Sequence, residues 1–179
     1  DFAKIVETHC RPYEALFKAY PNHTFLFEIT DASDVHIIQE QLGETLIGII
    51  EAASGRQFRE DEVDKIAAEY GLQRPLLLEN IRFGELKALL KTVKHEGFMV
   101  FDAETKETLC KMKSPYYLVS KFFGRSNESN LGRKLDKKHL DEEYYPLVDY
   151  IREQRDTFST LNEQEKIAFI QHYLEHMME

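Results

Sequence analysis

Glu96-Gly97-Phe98-Met99-Val100-Phe101, a polar turn from Asp102 to Glu107, then Thr108-Leu109-Cys110-Lys111-Met112-Lys113-Ser114-Pro115-Tyr116-Tyr117: this stretch decides the fold. Phe98 to Phe101 are apolar and strand-prone, the charged turn is of hairpin length, and Thr108 to Lys113 reads as the return strand. The pattern predicts a β-hairpin. Side chains two apart in a strand share a face, so Lys111 and Lys113 are aimed together while Cys110 and Met112 face the other way. Glu96 stands at the start of the first strand. Two ammonium groups on one face suit a phosphate, and a nearby carboxylate that holds a divalent metal, directly or through water, completes a polyphosphate site. The competing reading of a bare Lys-x-Lys is the solvated face of an ordinary antiparallel pair.

Taken whole, the string resembles two signature motifs of the covalent nucleotidyltransferases, the superfamily of DNA ligases, RNA ligases and mRNA capping enzymes. Glu96-Gly97-Phe98-Met99-Val100 looks like motif IV, and Leu109-Cys110-Lys111-Met112-Lys113-Ser114 looks like motif V. The continuation Ser114-Pro115-Tyr116-Tyr117-Leu118 is most similar to the phage-type RNA ligases that seal broken tRNA. Upstream, Thr24-Phe25-Leu26-Phe27-Glu28-Ile29 is a strand by composition. Its one charge inside an apolar run reads either as an edge-strand residue facing water or, by resemblance to motif III, as a pocket glutamate. Leu46-Ile47-Gly48-Ile49-Ile50 resembles motif IIIa, the segment that backs the adenine, with Gly48 allowing a close approach.

The resemblance implies an α+β fold: an antiparallel-sheet nucleotidyltransferase core over 1–124, partial here, and a small all-helical C-terminal domain over 125–179. It implies an ATP-dependent ligase that joins 5′-phosphate and 3′-hydroxyl RNA ends through a lysyl-AMP intermediate, with nicked tRNA as one such substrate. Lys111, Lys113 and Glu96 take the catalytic roles. Lys113 meets the α-phosphate, Lys111 assists it, and Glu96 positions Mg²⁺. Glu28 serves the ribose or the metal, Ile47 and Gly48 the base, and Tyr117 stacks on a base or ribose. Core packing is the equally cheap reading of Tyr116 and Tyr117, with Tyr116 assigned to the core and Tyr117 to the site.

The family's nucleophile is the lysine of a Lys-x-Asp/Asn-Gly motif ahead of motif III, and no such motif precedes Glu28. Lys4 is followed by Ile5-Val6-Glu7 and Lys18 by Ala19-Tyr20-Pro21, while Lys94-His95-Glu96-Gly97 is a near-match in the wrong place. The expectation is that the nucleophile lies on a separate upstream segment and that this polypeptide alone does not self-adenylate. The opening Asp1, in place of a methionine, agrees with a fragment or a processed chain. A non-catalytic relative that binds nucleotide or an RNA end and works through its helical tail is the alternative from another class. DNA ligase or capping enzyme ranks below both.

The 179 residues suffice for one respectable core and a small second one. Hydrophobic residues at 42% and charged ones at 31% are ordinary for a globular protein. No run approaches a membrane span and no signal peptide is visible, so no membrane partner and a cytoplasmic location are expected. Cys10 and Cys110 are in no metal-ligand spacing and read as free thiols. The net charge of -9 argues against a protein that coats nucleic acid. Yet between Lys106 and Lys138 the chain carries nine Lys or Arg against three acids, and from Asp136 to Glu179 eleven acids against five bases. A basic strip on an acidic protein suits a confined polyanion site.

The remaining pattern is short. Two helices are expected before Pro21, interrupted at Pro12, and strands at Asp34–Ile38 and Thr45–Ile50. His36 reads as a surface strand residue. Helices are expected at Glu60–Tyr70, Glu85–Val93, Pro115–Phe123, Leu135–Gln154 and Asn162–Met178, the last opened by an Asn162/Glu165 capping box. Leu76–Leu78 is a short strand or a helix entry, and Gly124–Asn130 a linker.

Overall fold

The computed structural model describes residues 2–33, 37–38 and 42–177. The chain is a mixed α+β protein with two small antiparallel sheets. It begins with α1 (Phe2–His9) and α2 (Glu14–Ala19), separated by Pro12 and by Tyr13, which is held in the left-handed region at φ 44°. Strands β1 (His23–Thr30) and β2 (Gly43–Glu51) pair antiparallel. Leu26 opposes Gly48 and Phe27 opposes Leu46, which leaves Ile47 as the extra residue of a bulge. Helix α3 (Glu60–Tyr70) carries Glu60, Asp61 and Glu62 in its first turn, where the helix dipole favours them, and ends at Gly71 in the left-handed region, whose N–H reaches the Ala67 carbonyl.

Helix α4 (Phe83–Leu90) leads to the hairpin, β3 (Gly97–Phe101) with β4 (Thr108–Lys113). Then follow α5 (Pro115–Gly124), α6 (Glu128–Lys134), two 3-10 turns at Lys137–His139 and Glu142–Tyr144, α7 (Tyr145–Glu153), α8 (Arg155–Thr160) and α9 (Glu163–His176). Asn162 and Glu165 close the expected capping box, each side chain accepting the other's backbone N–H.

The chain divides into two compact units. One comprises Asp1–Asp34, Glu40–Arg82 and Met99–Cys110; the other Val35–Gln39, Phe83–Phe98 and Lys111–Glu179. The first unit buries Leu16, Leu46, Ile49, Val63, Ile66, Ala67 and Leu72 together. The second gathers Val119, Phe123, Leu131, Leu135, Leu147, Val148, Ile151, Phe158, Ile170 and Tyr173. Among the described residues no helix is long and apolar enough to cross a membrane.

Several expectations need correcting. The units do not part at Gly124/Arg125: α5 contributes Val119 and Phe123 to the same core as the later helices. Gly124–Asn130 is therefore no linker. Gly124 is buried against Ile167 and Ser126 is buried, and α6 starts at Glu128. Leu135–Gln154 is not one helix, because Asp136 caps a separate 3-10 turn and Pro146 sets the start of α7. Leu76–Leu78 is neither strand nor helix entry. It follows Pro75, which offers no N–H to a ladder, and Leu76 is 92% exposed. Of the expected strand Asp34–Ile38, residues 34–36 (His36 included) lie outside the described residues. Ile37 and Ile38 form a bend, and the Ile37 carbonyl accepts a hydrogen bond from the Gln171 amide at 2.8 Å rather than from a strand. Met178, at the end of the last expected helix, also lies outside them.

Candidate functional site

The base of the hairpin is built around a glycine that nothing else can replace. Gly97 sits at φ 141°, and a Cβ there would lie 1.9 Å from the Met112 carbonyl oxygen. The backbone of β4 therefore leaves no room for a side chain at the position next to Glu96. One residue beyond β4, Ser114 ties this base to α5. Its backbone N–H donates to the Glu96 carbonyl at 2.8 Å, its hydroxyl donates to the His95 carbonyl at 2.6 Å, and the same oxygen accepts the Tyr117 N–H at 3.1 Å as the helix cap. Ser114 is wholly buried, and Pro115 supplies the pre-set first turn.

This frame aims the side chains. Lys111 Nζ and Lys113 Nζ each lie 3.0 Å from Glu96 Oε1, so both ammonium groups fall on one carboxylate oxygen, as the strand period predicted. Partial burial would push the Glu96 carboxyl up, but hydrogen bonds from Lys113 and Lys111 hold it below the ordinary carboxylate range. The Lys113 ammonium is raised in turn, first by its bond to Glu96. Lys111 is about half exposed and the other two are one-third exposed, and ion pairs of that kind are worth about 0–1 kcal/mol each. An arriving phosphate can thus replace the pairing at little cost.

Tyr117 lies beneath the cluster. Lys113 Nζ stands 4.7 Å from its ring centroid and Lys121 Nζ 5.5 Å, the latter 3.4 Å from the phenol oxygen. Two ammonium groups therefore meet one carboxylate, and a third lies against the Tyr117 ring that Lys113 also covers. Tyr117 is only 9% exposed and packs with Ile37 and Ile167, so it is a core ring with an edge under the lysines. Tyr116, assigned to the core, is the less buried of the pair: its hydroxyl donates to Glu175 at 2.9 Å, and Lys94 pairs with the same carboxylate at 3.3 Å. Pattern and resemblance both passed over Lys121. Its signal is spacing, one helical turn after Tyr117.

Glu28, Ile47 and Gly48 belong to the other unit. Glu28 points from the exposed side of β1, opposite Thr45. On that side Leu26 and Ile47 are exposed apolar side chains, and the Leu26 methyl is at 3.4 Å from where a Gly48 Cβ would stand. Glu28 is thus a solvent-facing strand residue beside an open apolar surface. Among the described residues there is no cluster of three or more His, Cys, Asp or Glu able to hold a metal. The His9 ring is bonded to Asp31 at 2.5 Å.

No family model matches the chain. No curated protein sequence matches it either.

Proposed function

We propose that the chain is the phosphate-handling part of an ATP-dependent RNA ligase that seals 5′-phosphate and 3′-hydroxyl ends, nicked tRNA among them, with a nucleotidyltransferase core. The observation that carries this reading is the convergence of Lys111 and Lys113 on Glu96, over a base fixed by Gly97 and Ser114. In the first step a lysine on an upstream segment attacks the α-phosphorus of ATP, forms a P–N bond and expels pyrophosphate. The AMP then passes to an RNA 5′-phosphate, and a 3′-hydroxyl displaces it. Negative charge grows on the non-bridging α-oxygens in each step. Lys113 and Lys111 answer it with fixed, charge-assisted hydrogen bonds.

Glu96 has two roles in this scheme. Before substrate arrives it holds the two ammonium groups in place, and with phosphate present it turns to the water shell of a Mg²⁺. Glu96 is the carboxylate that would hold a magnesium ion there, through its water shell, the rest of the coordination coming from water and phosphate oxygens as is usual for that ion. When bound, Mg²⁺ neutralises phosphate charge. Glu28, Ile47 and Gly48, on the open side of β1 and β2 in the other unit, keep the roles the resemblance gives them, the carboxylate toward the ribose or metal and the apolar pair toward the base. Tyr117 steadies Lys113 through its ring instead of stacking on the nucleotide.

The test is covalent labelling of the full-length gene product with ATP radiolabelled at the α-phosphate. A lysine-linked AMP adduct is expected, and Lys113→Ala is expected to reduce it by at least a hundredfold, the loss of one preorganised transition-state donor. Normal adduct formation by Lys113→Ala would refute the assignment. Nucleotide binding without any adduct, in the unsubstituted protein, would establish the non-catalytic relative instead.

A further inference from the structure

The end of α9 reads His172-Tyr173-Leu174-Glu175-His176. Tyr173 joins the helical core, while His172 and His176 are exposed and stand one helical turn apart on the same face. Histidines at i and i+4 on a helix are the spacing at which one face offers two nitrogen ligands to zinc. Spacing alone would leave two ordinary surface residues, so the geometry around them decides.

The two rings meet. Their centroids are 4.8 Å apart, with 56° between the planes. With metal–nitrogen bonds and tetrahedral angles of the usual size, two imidazoles on one zinc ion have centres roughly 5 Å apart. Little movement is needed for this pair to share an ion. The rings are also not committed elsewhere: among the described residues their one polar neighbour is the Glu175 carboxylate, whose Oε2 is 4.0 Å from His176 Nε2.

That carboxylate is fixed in position. The Tyr116 hydroxyl donates to Glu175 Oε1 at 2.9 Å, and Lys94 pairs with the same oxygen at 3.3 Å, which leaves Oε2 on the side of the histidine. A metal-bound histidine ordinarily gives its second ring N–H to a carboxylate, which sets the tautomer and makes the other nitrogen a better ligand. The 4.0 Å gap closes by a small rotation or through one water. Tied to Tyr116 and Lys94, Glu175 supports a ligand and is not free to act as a base. The negative end of the helix dipole further favours a cation at this terminus.

We propose that His172 and His176 bind one Zn²⁺, His176 through Nδ1 with its Nε2–H turned to Glu175, and that water completes the coordination. The inference stands independently of the ligase reading. The test is NMR of the histidine ring nitrogens in the whole chain, titrated with Zn²⁺ and, separately, with Mg²⁺. Saturable shifts of both the His172 and His176 rings are expected with one zinc ion per chain. Magnesium, which prefers oxygen ligands, should move neither. His172→Ala should weaken zinc binding at these rings by about tenfold or more, and Glu175→Gln, which keeps an oxygen for Tyr116, by about tenfold. His172 is exposed, and an unchanged amide spectrum away from α9 reports an intact fold in its variant. Shifts confined to one of the two rings, no saturable shift at either, an equal response to Mg²⁺, or unchanged zinc affinity in either variant overturns the proposal.

Discussion

Burial at the hairpin base works against ionisation of Glu96, and the two lysines overcome it. That balance has a sign. A carboxyl lowered in the folded state adds stability that is fully present above its unfolded pKa, about 4.3 for glutamate, and is lost as pH falls through the lower folded value. Carbon-detected NMR should therefore place the Glu96 midpoint below the ordinary glutamate value. In Lys111→Met/Lys113→Met only burial is left, and the midpoint should rise above the ordinary value. An unmoved midpoint in the double variant would mean that the ion pairs do not govern the site. At this scale the sequence was readable where period two alone fixes the geometry, as at Lys111 and Lys113. It was not readable for the tyrosines. Which of two adjacent rings goes inward depends on how α5 is rotated against α9, and that rotation put Tyr117 under the lysines and left Tyr116 to Glu175.

Element by element, the segments that carry their own punctuation came through. Helix α3 spans the expected Glu60–Tyr70, with acids in front and Gly71 behind, and the hairpin strands fall where apolar runs flank a polar turn. Segments whose boundaries depend on tertiary partners did not. Gly124 reads as a breaker in the chain, yet it belongs to α5 because α9 packs too closely there for any side chain: a Cβ would lie 2.5 Å from Ile167 Cγ1. By helix propensity alone Gly124→Ala should gain about 1 kcal/mol. The clash reverses this, and a net loss of about 1–3 kcal/mol is expected in urea unfolding. Ile167→Ala costs about 2–5 kcal/mol by itself, but in that background Gly124→Ala should become neutral or stabilising. The same sign in both backgrounds would remove close packing as the reason for the glycine.

Across the whole molecule, the sequence indicated an α+β chain with helices toward its carboxyl end, and the structure has that form. The division into units was not legible, because it depends on long-range packing: residues 83–98 and 111–124 join the later helices, while the outer part of the hairpin, Met99–Cys110, goes with the first unit. The two large buried clusters have no residue in common, and a separate core is what allows a unit to fold by itself. The consequence is measurable. Phe158 is fully buried, its ring lies 5.3 Å edge-on from Phe169, and Lys166 Nζ stands 5.7 Å from its centroid. Phe158→Ala should cost the helical unit about 3–5 kcal/mol, as core phenylalanine truncations do. Hydrogen exchange should then show faster opening of amides in α7 and α9, while those of Leu46 and Ile49 in β2 keep their protection. The reciprocal substitution, Leu46→Ala, should expose β2 and α3 at about 2–5 kcal/mol and spare α9. If either variant lowers protection equally in both places, the chain opens as one cooperative body, and its two cores are parts of a single folding unit.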